Sequence, residues 1–447
     1  MSDQDGGLEE ARAQFIRGEL DGALVAARAC LAAAKAAGDM TATGRARTLC
    51  GEIAYDRLRY PEARDELKRA VTELESSGAD ENDVRYARAS LGIVLHTLDD
   101  VDGATAQLAQ VDPDPAAGPA EDLTVAHAGR WIVLAVLHQA FGGTPRARAI
   151  LERLLAVMPD SDSDSDDARR AARATAHLQL AATLQTEGAN AAAIENEERC
   201  VELRTSLWGP TNVRVLMAKL SLAQLLLASG RTDDACPLAR DAMATLEAIG
   251  RADDPRASVA HATLGLVELT SGDVAAGAKR LERACAIEEK TFGGASPRTA
   301  KMLVMLAQVE ATRQQWGRVM GLCKKMIPAL RGDARSTDAY LSACGLDCTA
   351  HIALGRAAAG ADRLRDALAN LDRRGAAFSE ELRRMIAELW LLLGRTEIAT
   401  GRRSGVSTLE RARALAMDCG ASDILDAATN DLEHVRRGGG MGLKSTS

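Results

Sequence analysis

Cys344, Cys348 and His351 stand at i, i+4 and i+7, on one face of a single helix. Thiolate and imidazole at that spacing could hold a metal ion. No fourth ligand accompanies them, and the same spacing marks a buried helical stripe, so packed core is the reading taken. The other histidines, His96, His127, His138, His177, His261 and His434, are isolated in sequence. No His-Glu-x-x-His or Gly-x-Ser-x-Gly pattern is present. The run Gly438-Gly-Gly-Met-Gly442-Leu-Lys-Ser445 has the wrong spacing for a phosphate-binding loop, and no strand precedes it. The chain therefore reads as a non-enzyme that needs no cofactor and no metal. Ser161 and Ser163 each have an aspartate three residues on, in a Ser/Asp run that resembles the sites of acidophilic kinases. They are the candidate phosphorylation sites.

Composition sets the wider limits. The chain has 447 residues, 3% aromatics and a formal charge of −8. Few aromatics with abundant alanine suit thin helices packed closely and do not suit a β-sandwich. Arginine pairs such as Arg169-Arg170 and Arg383-Arg384 are scattered, which argues against a nucleic-acid footprint. No window has the roughly 18 apolar residues of a membrane span. The acidic N-terminus has no apolar run behind it, so no export signal is expected, and the nine cysteines are read as reduced and packed in a cytoplasmic protein.

The elements that must position any site announce themselves by repetition. Leu180-Ala181, Leu222-Ala223, Leu264-Gly265 and Leu306-Ala307 follow one another at intervals of 42 residues. Ala193, Ala235, Gly277 and Val319 keep the same interval, as do Cys200, Ala242, Ala284 and Met326. Three landmarks on one period make a repeat. Gly188, Gly230 and Gly272 sit where a first helix should end in a left-handed cap. Asn212, Asp254, Ser296 and Asp338 are suited to start the next unit, with Pro255 and Pro297 at first helical positions. Each unit thus reads as two helices. A lone pair cannot bury its apolar face, so the pairs must stack.

The order Leu–small, Gly, small, small resembles the tetratricopeptide repeat (TPR). The 42-residue interval, together with Cys200-Val-Glu-Leu-Arg-Thr-Ser-Leu-Trp-Gly209 and Ala284-Cys-Ala-Ile-Glu-Glu-Lys-Thr-Phe-Gly293, resembles the kinesin light chain type. The resemblance implies an all-α solenoid of about ten helix-turn-helix repeats forming a right-handed superhelix, with first helices on its inner surface. Weaker landmarks continue it both ways, from Ala11 to Ala412. Residues 1–157 form an N-terminal subarray of about four repeats. An acidic Ser/Asp linker spans 158–168, and about six repeats with a capping helix span 169–435. A Gly-rich tail spans 436–447 and is expected to be disordered.

The resemblance also places a peptide-binding groove near the small landmarks. Its candidate residues are Gln179, Gln185, Ser221, Gln224, Thr263, Thr270, Gln308 and Thr312. They make a neutral, hydrogen-bonding surface for an extended or helical peptide. The paired asparagines usual in kinesin light chain repeats are absent, since Leu178-Gln179, Leu220-Ser221 and Ala262-Thr263 stand in their place. The carboxylate clamp of chaperone-binding TPR domains is absent too, because Thr48, Ala89, Ile132, Leu178 and Leu220 occupy its lysine position. The expected function is that of an interaction scaffold or adaptor, as a monomer or weak homo-oligomer that binds neither nucleic acid nor membrane. The alternative is a sensor arm that binds a small peptide or metabolite, since long TPR arrays also resemble the effector arms of bacterial regulators.

Overall fold

A computed structural model describes residues 3–98, 100–112, 128–158, 167–252, 254–331, 336–372 and 379–437. Within them the chain is helical throughout. The helices come as pairs joined by short turns: α1 (Asp3–Arg17) with α2 (Leu20–Ala37), α3 (Met40–Asp56) with α4 (Tyr60–Ser77), α5 (Glu81–Thr97) with α6 (Val101–Val111), α7 (Ala128–Ala140) with α8 (Thr144–Val157), and α9 (Asp167–Thr186) with α10 (Asn190–Trp208). Then come α11 (Val213–Ala228) with α12 (Thr232–Ala248), α13 (Ala257–Thr270) with α14 (Val274–Phe292), α15 (Pro297–Thr312) with α16 (Trp316–Leu330), α17 (Thr337–Ala353) with α18 (Ala357–Asp372), and α19 (Glu380–Ala399) with α20 (Gly405–Asp418). A single helix, α21 (Ser422–Arg436), packs on the last pair. The fold is an all-α repeat solenoid. Among the described residues no helix is long and apolar enough to cross a membrane.

The small landmarks are where the two helices of a pair cross. Ala181, Ala193, Ala223, Ala235 and Ala307 are fully buried. In the seventh pair both crossing residues are glycine. A Cβ on Gly277 would lie 2.8 Å from the carbonyl oxygen of Gly265, inside any real contact distance. Helices α13 and α14 therefore approach as closely as backbones allow. The turn between the helices needs a positive φ, and Gly188, Gly230 and Gly272 supply it at +76°, +75° and +88°. The next position on this period is Gln314, which takes the same left-handed conformation at φ 59°, and Leu58 does so in the second pair at φ 63°.

Helix starts follow the expected caps with two shifts. Asn212 and Ser296 accept from the amides of Arg214 and Arg298. Asp254 accepts from the amide of Arg256, but a turn through Pro255 intervenes and α13 begins only at Ala257. In the ninth pair Ser336 holds the cap position and Asp338 lies within the first turn of α17.

The chain packs as two compact units, residues 1–252 and 253–447. In the first unit, α1 through α9 stack so that each first helix also touches the next first helix. Its buried layers run from Ala11 and Leu24 through Leu67, Leu91 and Leu151 to Leu184 and Leu246. In the second unit one continuous core extends from Ala262 to Leu432. Buried acids tie neighbouring helices there. Glu288 pairs with Arg298 at 2.8 Å, and Glu310 pairs with both Arg313 and Arg318 at 3.0 Å. Glu397 takes Arg365 and the hydroxyl of Thr408. Each of these carboxylates is almost fully buried and each is paired, as the cost of burying a bare charge requires.

Candidate functional site

First helices pack on their successors from α1 to α9 and from α15 to α19, so their side chains decide what that face can hold. In the first unit a polar network crosses three of them. Glu52 on α3 accepts from the phenol of Tyr86 and, at 3.3 Å, from the hydroxyl of Ser90, both on α5. Arg12 on α1 donates to Tyr86 Oη at 3.4 Å, and its guanidinium lies 5.3 Å from the Tyr86 ring centre. It stands 4.0 Å from Glu52 Oε2. Burial pushes the Glu52 carboxyl above its ordinary range, against the pull of Arg12. The Tyr86 phenol is also pushed up, by burial and then by the Glu52 charge. One step further, Arg130 on α7 donates to Asn82 Oδ1 on α5 and lies over the ring of Trp131 at 4.3 Å.

The first unit also closes on itself. Arg214, at the start of α11, donates to the carbonyl of Phe15 at 2.8 Å and to Asp56 Oδ2 at 2.9 Å. Its guanidinium lies 5.3 Å from the Phe15 ring centre. Asn212 Nδ2 donates to the carbonyl of Arg17 at 2.9 Å. The start of the sixth pair is thus docked against the end of α1, across nearly 200 residues of chain.

The expected groove residues divide between the units. Gln179 and Gln185 lie on α9, and Ser221 and Gln224 on α11, all in the first unit; Gln185 and Gln224 are exposed. Gln179 is half-buried, and Ser221 hydrogen-bonds to the buried carboxyl of Glu197. In the second unit Thr270, Gln308 and Thr312 are exposed. Thr263 is fully buried, and its hydroxyl donates to the Val259 carbonyl at 2.8 Å, so it packs inside the pair and cannot line a groove. The hydroxyls of Thr270 and Thr312 likewise donate within their own helices, to Val267 and Val309. Ser161 and Ser163 fall outside the described residues, as do His127, most of the 158–168 linker, and the tail beyond residue 437.

Cys344, Cys348 and His351 are buried in α17. Burial pushes both thiols up to about 12, so they stay protonated at neutral pH. His351 Nδ1 is hydrogen-bonded to the Asp347 carbonyl at 2.8 Å. Among the described residues no group of three or more metal-ligating side chains assembles.

The Arg12–Glu52–Tyr86–Ser90 network was absent from the sequence reading, although a signal for it existed. Arg12 and Glu52 each follow a small landmark, Ala11 and Gly51, by one residue, and Ser90 precedes Gly92 by two. These are the register positions that select Gln224 and Ser221 in the central repeats.

No protein-family model matches the chain, and no curated protein sequence matches it. Among solved structures it is similar to a Rap protein in complex with Competence and Sporulation Factor, with a TM-score of 0.53 at 10% identity over 89% of this chain and 98% of that one. It is similar to the apo form of RapI, with a TM-score of 0.51 at 10% identity over 88% and 99%. Nearly identical TPR-like repeats ascribed to a Podosopora anserina kinesin light chain align at 21% identity and a TM-score of 0.40, over 45% of this chain and 97% of that one. In fold, this chain is a TPR-type helical-repeat protein.

Proposed function

We propose that the protein is a non-enzymatic interaction scaffold whose first-helix layers hold a peptide or helix from a protein partner. The observation that carries this reading is the chemistry of that layer. Exposed amides and hydroxyls recur at the register of the small landmarks: Gln185 and Gln224 in the first unit, and Thr270, Gln308 and Thr312 in the second. Such groups offer donors and acceptors to a peptide backbone without imposing a charge. Gln179 and Ser221 flank them, half-buried. A Rap protein of this fold is known in complex with Competence and Sporulation Factor, which supports the second reading, a sensor of a small effector. The 42-residue period favours units of the kinesin light chain type.

The test is affinity capture from native lysate with the wild-type chain and with a Gln185→Glu, Gln224→Glu, Gln308→Glu variant. All three positions are exposed, so the variant should keep its helical content by circular dichroism. A stoichiometric partner lost only from the variant is the expected result. A partner retained by both chains would remove the first-helix layers from the binding surface.

A further inference from the structure

Second helices of successive pairs diverge where first helices crowd, and in the second unit one such gap is a built cleft. It lies over α17 between α16 and α18 and has a volume of about 180 Å³. At about 30 Å³ per water, it has room for roughly six waters, which is the scale of an amino acid. The α17 floor presents Tyr340, Cys344 and Asp347, one helical stripe; α18 contributes Arg363, Asp366, Ala367 and Asn370, another. A second cavity of about 170 Å³ shares Arg331, Tyr340 and Asn370 with it and adds Leu371.

Two observations give this cleft a polarity. Asp347 is 2% exposed, and its Oδ2 is held by Arg363 Nε at 2.9 Å. Its Oδ1, also buried, has no hydrogen-bond partner among the described residues. A buried carboxylate oxygen without a donor is costly, and a ligand N–H placed there removes that cost. At the opposite end lie the exposed Arg331 and the side-chain amide of Asn370, whose Nδ2 donates one hydrogen to the Asp366 carbonyl at 2.8 Å and keeps a second; guanidinium and amide N–H groups suit a carboxylate. Between them the walls are Ile327, Ala367 and Leu371.

The geometry points to a site for a free α-amino acid with an apolar side chain, its ammonium on Asp347 and its carboxylate toward Arg331 and Asn370. Asp366, between Arg363 and Asn370 on α18, also lines the cleft. The site belongs to second helices and the floor of one pair. Its floor is the first helix α17, but none of its lining residues belongs to the proposed groove, and the glutamine substitutions leave it untouched. Loss of partner capture and loss of amino-acid binding are therefore separate results.

The experiment is isothermal titration of the full chain with L-leucine, L-methionine and L-phenylalanine, each beside its N-acetyl derivative. The expected result is saturable binding of at least one of them with a Kd below about 1 mM, and none of the acetylated forms. Asp347→Asn and Arg331→Glu should each weaken binding by about tenfold or more. Arg331 is exposed, so its variant carries the test even if Asp347→Asn fails to fold. Absence of binding by all three amino acids would overturn the proposal, as would binding unchanged by Arg331→Glu or by N-acetylation.

Discussion

At the scale of single residues, the buried acids carry the clearest expectation. Glu197 on α10 is 1% exposed, and burial raises its carboxyl from 4.5 to about 7, against the pull of Arg204 and the hydrogen bond from Ser221. A folded-state pKa above the unfolded value means that the folded chain holds the proton more tightly. The stability linked to this group is therefore fully present below about pH 4.5 and is lost as pH rises through about 7. Glu197→Gln removes the titration. Relative to wild type it should gain about 1–2 kcal/mol at pH 8 and little at pH 5. Each tenfold change in proton affinity is worth roughly 1.4 kcal/mol, and the amide's own burial cost is set against it. Thermal melts at the two pH values check this. A wild type that loses no ground to the variant between pH 5 and pH 8 would show that Glu197 is ionised at little cost. Thr263 shows the limit of register at this scale. Its place two residues before Gly265 matches Ser221 before Ala223, yet it is fully buried where Ser221 is half-buried. With glycine at both crossing points, α13 and α14 close tightly.

At the scale of the helix pair, the period was legible because one steric demand recurs every 42 residues. A crossing must be small, and a turn must reverse with positive φ. The exceptions are where stability can be gained. Gln314 and Leu58 carry side chains in a left-handed conformation that costs an ordinary residue about 1–2 kcal/mol. Gln314→Gly and Leu58→Gly should each stabilise the fold by roughly 0.5–1 kcal/mol, the remainder being offset by the freer unfolded glycine. Urea midpoints measure it, and a lower midpoint for both variants would refute the strain. In the opposite direction, Gly277→Leu forces a side chain against the backbone of Gly265. It should cost about 3 kcal/mol or more, through overpacking at a site where the opposing atom is backbone and cannot yield. The shifted start of α13 was hidden for a local reason. The turn through Pro255 already satisfies the Asp254 carboxylate, so the cap residue and the helix start separate.

At the scale of the whole chain, the period makes an all-α solenoid of helix pairs legible but none of the contacts between distant repeats. Periodicity reports neighbours only. The pairing of Arg214 with Asp56 and Phe15 joins residues 158 and 199 positions apart and leaves no trace in any interval. The cleft over α17 was invisible for a related reason: its polar groups come from three helices of two repeats, and each alone looks like an ordinary surface or core residue. Arg214→Ala should loosen the first pair selectively. Hydrogen exchange in α1 and α2 is expected to quicken by about one order of magnitude, the equivalent of roughly 1.4 kcal/mol of local opening, while α19 to α21 remain unchanged. Uniform exchange across the chain, with no local acceleration, would mean that the contact contributes nothing to holding α1.

An array in which each repeat touches only its neighbours behaves like a spring and lengthens gradually when its ends are pulled. The docking of Asn212 and Arg214 on the end of α1 puts a latch between the first and sixth repeats of that spring. Stretched between its first and twelfth helices, the first unit should stay stiff until the latch parts and then soften abruptly. Optical tweezers would record this as a single early rip, before any repeat has unravelled.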